Sequence, residues 1–500
     1  MKRDTTKLSL PTLIEDILTD PQVCADNRFA DMWKSLRIKT LLNKVGFKKR
    51  TGTPISEVVF LLLLWVWLSA SVRLFSRNSL KTFSNAKKDA IYETLKREDL
   101  NWRKLNLEVA LQVYKKPQIQ NSEIKALVVD DSVKPRRGKK MEGVSRHFDH
   151  LTGRSCMGQQ VLTLGLATGE AFLPIDSQIY ISSVKAQDLK KPFKDGRSVV
   201  ANRYREAQTP KPKILSSMIK RALNQGVGAS YLLGDAWFGT KATIKTALDN
   251  NLIPVLRMKK NNTKYRYTDS KGKNFMLTAE ELYKKVVRGK WEKIAGLDYQ
   301  GKTVDIELDL ATKKKEKADW INARLLFVRG QCEGDKPPVG KKDWAIFLTS
   351  DITMEAAKIL EIYAMRWGIE VYFKEAKQHL GFLIDPTETA ANHIASIHLT
   401  AIRYLILVQA KLEHADSRVC EVRNYLNTQL ETVDFAKRLW GLFQTLISGA
   451  LEDVREQLGS AVDTVMSVIE KSVQDFWVRA LQLDTFTMEL EGKYCDGFDD

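Results

Sequence analysis

Apolar and polar positions divide the chain into regions of different period. From residue 1 to about 115 the apolar residues recur at helical spacing, with Lys and Arg dense in RIKTLLNKVGFKKR and between Lys81 and Arg103, interleaved with Trp33 and Trp102. Val58 to Val72 (VVFLLLLWVWLSASV) is instead apolar all round. At about 15 residues it falls short of the roughly 20 that cross a bilayer. Thr53 as N-cap and Pro54 as first helical residue then predict a buried core helix. The segment from Ser35 to Val58 also admits a helix-turn-helix with a long loop.

From about residue 120 the pattern becomes α/β. Ala126 to Val129 is a short all-apolar run, the signature of a strand buried on both faces. Gln159 to Ala167 and Glu170 to Ser177 flank a Gly-containing turn and predict a hairpin. A helix follows over Pro212 to Asn224, ended by Gly226, then a strand over Tyr231 to Leu233. A helix over Lys241 to Asn250 and a strand over Leu252 to Met258 complete a mixed-sheet order. Residues 259–353 carry alternating runs such as KTVDIELDL, NARLLFVRG and DWAIFLTS, which predict an inserted β-rich subdomain packed over the functional site. Beyond it the chain reads as helical to its end, and the amphipathic stretches HIASIHLTAIRYLILVQAKL and DTVMSVIEKSVQDFWVRAL either cap the sheet or pair between protomers.

Candidate chemistry sits where these elements end. Asp130 and Asp131 follow the first strand, and Asp235 follows the Tyr231 strand through Gly234. Either position, taken alone, also suits a turn or helix-cap carboxylate. Later, in YAMRWGIEVYFKEAK, a single helix at about 100° per residue would place Tyr363, Arg366, Glu370 and Lys377 on one stripe about 60° wide. Taken alone, that stripe also reads as a solvated charged face. Three carboxylates brought together repel one another unless a divalent cation or raised pKa values relieve them. An all-oxygen set selects Mg²⁺ or Mn²⁺ over zinc. Two such ions serve in-line displacement at phosphorus. If the first strand runs through the Asp pair, only one of them faces such a site; Asp-x-Ser favours Asp130, and Asp131 stays open.

Charge adds a partner class. With 79 Lys and Arg against 61 Asp and Glu, the formal net charge is +18, a bias toward polyanions. Lys134, Arg136, Arg137, Lys139 and Lys140 crowd beside the first Asp pair, where they would track a DNA backbone. Trp291, Trp320 and Trp344 in the insertion either pack in its core or offer a ring to an unpaired base. The five cysteines are far apart and lack a Cys-x-x-Cys pair, which suggests neither zinc site nor disulfide framework and fits a reducing cytoplasm. His147 and His150 lack further metal-spaced neighbours, so a surface or DNA-contact role is expected of them.

Strand-end Asp, strand-end Asp and helical Glu, in that order, resemble a ribonuclease-H-like catalytic core. The spacing of Tyr363, Arg366, Glu370 and Lys377 matches the Tyr-Arg-Glu-Lys signature of bacterial DDE transposases of the insertion-sequence-four type, and VVDDS and Gly-Asp-Ala-Trp-Phe extend the likeness over roughly residues 120 to 385. The fold so implied is α/β: a ribonuclease-H-like mixed sheet core with a β-rich insertion, flanked by N- and C-terminal helical regions. Its parts would be a helical DNA-binding region (1–115), the core (116–258 and 354–405) interrupted by the insertion (259–353), and a helical C-terminal region with a possible dimerisation role (406–500). The resemblance implies metal binding by Asp130, Asp235 and Glu370, with two Mg²⁺ ions for which Mn²⁺ substitutes. It assigns Tyr363, Arg366 and Lys377 to phosphates near the cleaved end. The implied partners are double-stranded DNA, as terminal inverted repeats and target, and a second copy of the chain in a synaptic homodimer, with no membrane; the implied location is the bacterial cytoplasm, at the nucleoid. Alternatives are a metal-dependent nuclease without strand transfer and a domesticated, non-catalytic DNA-binding protein.

Overall fold

The computed structural model describes residues 28–137, 141–149, 153–183, 193–286, 291–294, 299–312, 316–330, 344–384, 388–413 and 418–431, with isolated positions 434, 464 and 468. Two compact units emerge: Met1–Arg97 with His379–Thr387 and Ile406–Asp500, and Glu98–Gln378 with Glu388–Leu405.

The first unit is helical. Its described N-terminal helices are α1 (Arg28–Ser35), α2 (Ile38–Lys44), α3 (Ile55–Leu68), α4 (Val72–Asn78), α5 (Leu80–Phe83) and α6 (Lys88–Leu95). Every residue of α3 from Ile55 to Trp65 is buried, and Phe29 and Trp33 meet Phe60 edge-on at 5.6 and 5.4 Å. The expected start is off by one residue: Pro54, in extended conformation at ψ 143°, is itself the N-cap, and no side chain caps the helix. Nor does the helix run to Val72. It stops at Ser69, and the chain bends by 95° into α4, where Ser71 Oγ accepts from the Leu74 N–H at 3.2 Å. Because α3 is buried nearly all round, it has no face to lay in a DNA groove, which removes the helix-turn-helix reading. The buried Glu57 accepts a hydrogen bond from Ser84, and burial pushes its carboxyl above the ordinary value.

The second unit is built on one twelve-stranded sheet. It opens with α7 (Trp102–Tyr114) and α8 (Pro117–Gln120), followed by β1 (Ala126–Pro135), β2 (Ser145–Asp149), β3 (Arg154–Ala167) and β4 (Phe172–Tyr180). Then come α9 (Val199–Ala207), α10 (Lys211–Asn224), β5 (Tyr231–Gly234), α11 (Lys241–Leu248) and β6 (Ile253–Arg257). β1 and β4 each run antiparallel to β3, while β5 pairs parallel to β1 and β6 parallel to β5. β1, β3, β4, β5 and β6 follow the strand order expected from the sequence, while β2, which pairs antiparallel with β3, and α9 are additions to it. The hairpin closes through Thr168, whose N–H donates to Ala171 O at 2.9 Å.

The insertion departs from expectation. Its strands are β7 (Lys264–Thr268), β8 (Asn274–Thr278), β9 (Glu292–Lys293), β10 (Gln300–Asp309), β11 (Trp320–Arg329) and β12 (Trp344–Thr349), with α12 (Ala279–Val286) between β8 and β9. β12 pairs antiparallel with β6, so these strands lengthen the core sheet at its edge rather than forming a separate layer over the site. One hydrophobic cluster joins Ile244 and Leu256 to Tyr265, Leu282, Phe327 and Trp344 across the junction. Trp344 is consumed in that core, stacked on Tyr283 at 4.3 Å and 4°. Trp291 packs on Tyr283 with the Arg329 guanidinium 4.1 Å from its ring, and the partly exposed Trp320 lies under Arg266 at 4.0 Å.

After β12 come α13 (Ala356–Ala364), α14 (Trp367–Gln378) and α15 (Ala390–Glu413), the last belonging to this unit as far as Leu405. By length and composition α15 could cross a membrane, but its apolar window is wholly buried in the protein, as in a core helix. Residues 419–431 are helical, and the amphipathic stretch from Asp463 to Leu481 lies outside the described residues apart from isolated positions.

A buried charge network ties helices to β4. Asp176 accepts from Arg221 at 2.7 Å and pairs with Arg103 at 3.0 Å, while Glu206 pairs with Arg103 at 2.8 Å and with Arg221 at 3.2 Å. Arg203 donates to Ser177 O and reaches His398 Nε2 at 2.9 Å. Burial, and then the charges of Arg203, Arg103 and Arg221, push His398 well below its ordinary value, so it is neutral there.

Candidate active site

The register of the parallel strands assembles the site. Val129 lies opposite Gly234 in the β1–β5 pairing, so Asp130 and Asp235 are the next residues on two adjacent strands. β1 is wholly buried over Ala126–Val129 and continues through the Asp pair. Successive side chains therefore point to opposite faces. Asp130 Oδ1 accepts from the Asp131 N–H at 2.7 Å, and Asp235 Oδ1 accepts from the N–H groups of Trp237 and Phe238 at 2.9 and 3.3 Å. Asp235 is thus also a turn residue, with Oδ2 outside that turn. The flanking glycines permit the tight geometry: a Cβ on Gly239 would lie 2.2 Å from Arg257 O, and one on Gly234 would lie 2.9 Å from Phe238 Cβ.

Asp130 feels its neighbours. Burial, followed by the charge of Asp235, pushes its carboxyl from 3.8 up to about 7. Arg366 works against this, with Nη1 3.5 Å from Asp130 Oδ2 and Nη2 hydrogen-bonded to Glu370 Oε1. A guanidinium thus stands between the first and third carboxylates. Among the described residues no three His, Cys, Asp or Glu side chains converge on one point. The structure brings Asp130 and Asp235 together, and it brings Glu370 to them through Arg366.

The signature does not lie on one helix. α13 ends at Ala364, and the bonds Met365 N–H to Ile362 O, Arg366 N–H to Tyr363 O, Gly368 N–H to Met365 O and Ile369 N–H to Arg366 O all close over three residues. Such a tight turn advances more than 100° per residue, so the single-stripe geometry fails. Just beyond the turn, Gly368 packs against β4: a Cβ there would sit 3.0 Å from Phe172 Cβ. Tyr363 consequently sits on α13 against Phe347 of β12, ring centroids 4.6 Å apart, while Glu370 and Lys377 sit on α14. Burial is the main cause raising the Tyr363 phenol above its ordinary value, which keeps it a proton donor at neutral pH.

A cleft of about 690 Å³ adjoins the aspartates; Asp130, Asp131, Asp235, Trp237, Lys211 and Lys377 are among its walls. Lys377 thus lines the same cleft as Asp130 and Asp235. Asp131 is otherwise engaged: Oδ2 pairs with Lys211 at 2.6 Å and Oδ1 accepts from Gln160 Nε2 at 2.6 Å. Of the basic run, Lys134 is partly exposed on β1, Arg136 donates through Nε to Gln159 at 2.9 Å and Arg137 is exposed. Lys139 and Lys140, like His150, lie outside the described residues. His147 overturns its surface assignment. It is buried on β2, with Nε2 2.9 Å from Ser145 Oγ, and burial followed by the charge of Lys211 pushes it down to about 4.

Residues 197–406 match the family described as transposase DDE domain, and residues 70–274 match that described as DDE superfamily endonuclease. Over each of these stretches the chain is similar to DDE transposase and endonuclease domains. The two matches meet over the β5–β6 region that bears Asp235, and between them they take in β1 and α14. No curated protein matches the chain. A DDE domain implies a ribonuclease-H-like fold, binding to DNA and transposition-related DNA cleavage, typically metal-dependent.

Sequence reasoning missed Lys211 and Trp237. Trp237 lay inside the quoted Gly-Asp-Ala-Trp-Phe motif, so its place beside the site was accessible. Lys211 carried no signal, since a lysine at a helix start reads as solvated.

Proposed function

We propose that the protein is a cut-and-paste DNA transposase of the insertion-sequence-four type, hydrolysing phosphodiesters at element ends and joining the freed ends to a target. The observation that carries this reading is the pair Asp130 and Asp235, each following the last paired residue of the parallel strands β1 and β5, with Arg366 joining Asp130 to Glu370 of the four-residue signature.

The donor chemistry fits a hard divalent cation: two oxygen-only groups, one of them held near neutrality by burial and by the other's charge. Asp130, Asp235 and Glu370 would hold two Mg²⁺, for which Mn²⁺ substitutes. Bound there, the ions would activate a water or 3′-hydroxyl and stabilise the departing oxygen. The chain's own residues do the rest. The Arg366 guanidinium neutralises Asp130 and Glu370, and a DNA phosphate offers it a bidentate alternative. Exchange of Arg366 onto that phosphate would release the Glu370 carboxylate from its ion pair. The Tyr363 phenol donates to a neighbouring phosphate oxygen, and Lys377 supplies positive charge in the cleft. Lys134, Arg136, Arg137, Lys139 and Lys140 would follow the backbone away from the cut. Two copies would hold the two ends in one synaptic complex, acting in the bacterial cytoplasm.

The test is Mg²⁺-dependent cleavage of a DNA fragment carrying the gene with both native flanks, comparing wild type with Glu370→Gln. Paired double-strand breaks at the flanks, lost in the variant, are expected, followed by joining of the released ends to a target. Cleavage without joining would favour the nuclease, and binding without cleavage the non-catalytic protein.

A further inference from the structure

Lys211 is a charged wall of the cleft that several elements hold at once. Its side chain is only 7% exposed, although it opens α10. Nζ lies 2.6 Å from Asp131 Oδ2, 4.1 Å from the Trp237 ring centroid and 5.1 Å from that of Tyr180. One ammonium thereby touches β1, β4 and the turn after β5. Gln160 of β3 occupies the second oxygen of Asp131. Both oxygens of the second aspartate are committed, whereas its neighbour Asp130 faces Asp235 and Arg366.

We propose that Lys211 is a positioning residue that withdraws Asp131 from the acidic cluster and fixes, through Trp237, the turn that presents Asp235. A buried carboxylate next to a cation site is a competing ligand unless its charge is cancelled. Paired with Lys211 it contributes no net charge, and Asp130 and Asp235 remain the open carboxylates of the two adjacent strands. The cation–π contact adds a mechanical link, because Trp237 stands two residues beyond Asp235 and its N–H bonds that carboxylate. Strand alternation separates the two members of the Asp-Asp pair, and Lys211 keeps the unused one neutralised, acting through Asp131 and Trp237 rather than at the cation site itself.

This rests on the proposal that Asp130 and Asp235 bind divalent cations, and the experiment separates the two. Mn²⁺ binding by the full chain is followed from the loss of the free-ion paramagnetic resonance signal, in wild type, Lys211→Met, Asp131→Asn and the double variant. Removing a buried positive charge and freeing Asp131 should tighten Mn²⁺ binding by about fivefold or more in Lys211→Met, while DNA cleavage falls. Asp131→Asn should weaken Mn²⁺ binding, and the double variant, lacking both charges, should return to within about twofold of wild type. A purely structural lysine would lower stability without tightening Mn²⁺ binding, and the double variant would not recover; that result overturns the proposal. Should Lys211→Met not fold, Lys211→Gln keeps a donor to Asp131 without the charge and should tighten binding in the same direction. Wild type without Mn²⁺ binding would sink the metal-site reading and this proposal together; wild-type binding unchanged by Lys211→Met would sink this proposal alone.

Discussion

Replacing Asp130 by Asn should abolish cleavage and at the same time stabilise the metal-free protein. In the fold this carboxyl sits at about 7 against 3.8, with burial as the first cause and Asp235 as the second. Between those two values the native state holds a proton that the unfolded chain has released, so native stability falls as pH rises from about 4 to about 7 and levels off above. The interval corresponds to about 4 kcal/mol at most, reached near pH 8, against about 1.7 kcal/mol at pH 5. Asn keeps the hydrogen bond that Oδ1 accepts from the Asp131 N–H and removes the repulsion with Asp235. Arg366 loses its 3.5 Å partner but retains Glu370. Thermal unfolding in EDTA should show Asp130→Asn more stable than wild type at pH 8, by a margin that shrinks toward pH 5. Adding Mg²⁺ should raise the wild-type midpoint at pH 8 and leave that of the variant in place. A variant less stable at pH 8, or a margin independent of pH, would refute the reasoning.

Other outcomes follow from the same geometry. Arg366→Met should raise the Asp130 carboxyl further, since the guanidinium opposes the rise; ¹³C NMR titration of the carboxyl in EDTA measures this. Trp344→Ala should cost about 3–5 kcal/mol in urea unfolding by emptying the Tyr283 stack, while leaving DNA affinity near wild type; a selective loss of DNA binding would return this ring to base stacking. Asp176→Asn should cost about 3–5 kcal/mol by leaving Arg103, Arg203 and Arg221 short of a counter-charge. Burial alone would raise that carboxyl, but the three arginines hold it below its ordinary value, so its contribution is present at neutral pH and lost in acid; a wild-type acid midpoint equal to that of the variant would contradict this.

The sheet was largely legible because its cues are local. An all-apolar run marked β1, a Gly-containing turn marked the β3–β4 hairpin, and strand and helix periods alternated through β6. Asp235 was readable for the same reason, since β5 stops at Gly234 and delivers its next side chain to the sheet edge, whereas β1 runs on through Asp130 to Pro135. What escaped depends on contacts from distant sequence. The break at Met365–Arg366 is a run of bonds closing over three residues, which angular arithmetic along one helix does not contain. His147 was misplaced because burial is decided by what covers β2, and Lys211 was missed because its partners come from β1, β4 and the β5 turn. The insertion's period was read correctly and its docking was not, because edge pairing between β6 and β12 leaves no mark in either strand alone.

That pairing has a consequence for how this scaffold can vary. The insertion leaves the core at the end of β6 and returns as β12, hydrogen-bonded directly to β6, so its entry and exit are stapled side by side. To the carboxylate core, the whole excursion is equivalent to one hairpin. The chain between can lengthen, shorten or exchange surface features while Asp235 on one side and the Tyr363 helix on the other keep their places. Specificity for different DNA ends can then evolve in a segment whose length the chemistry never senses.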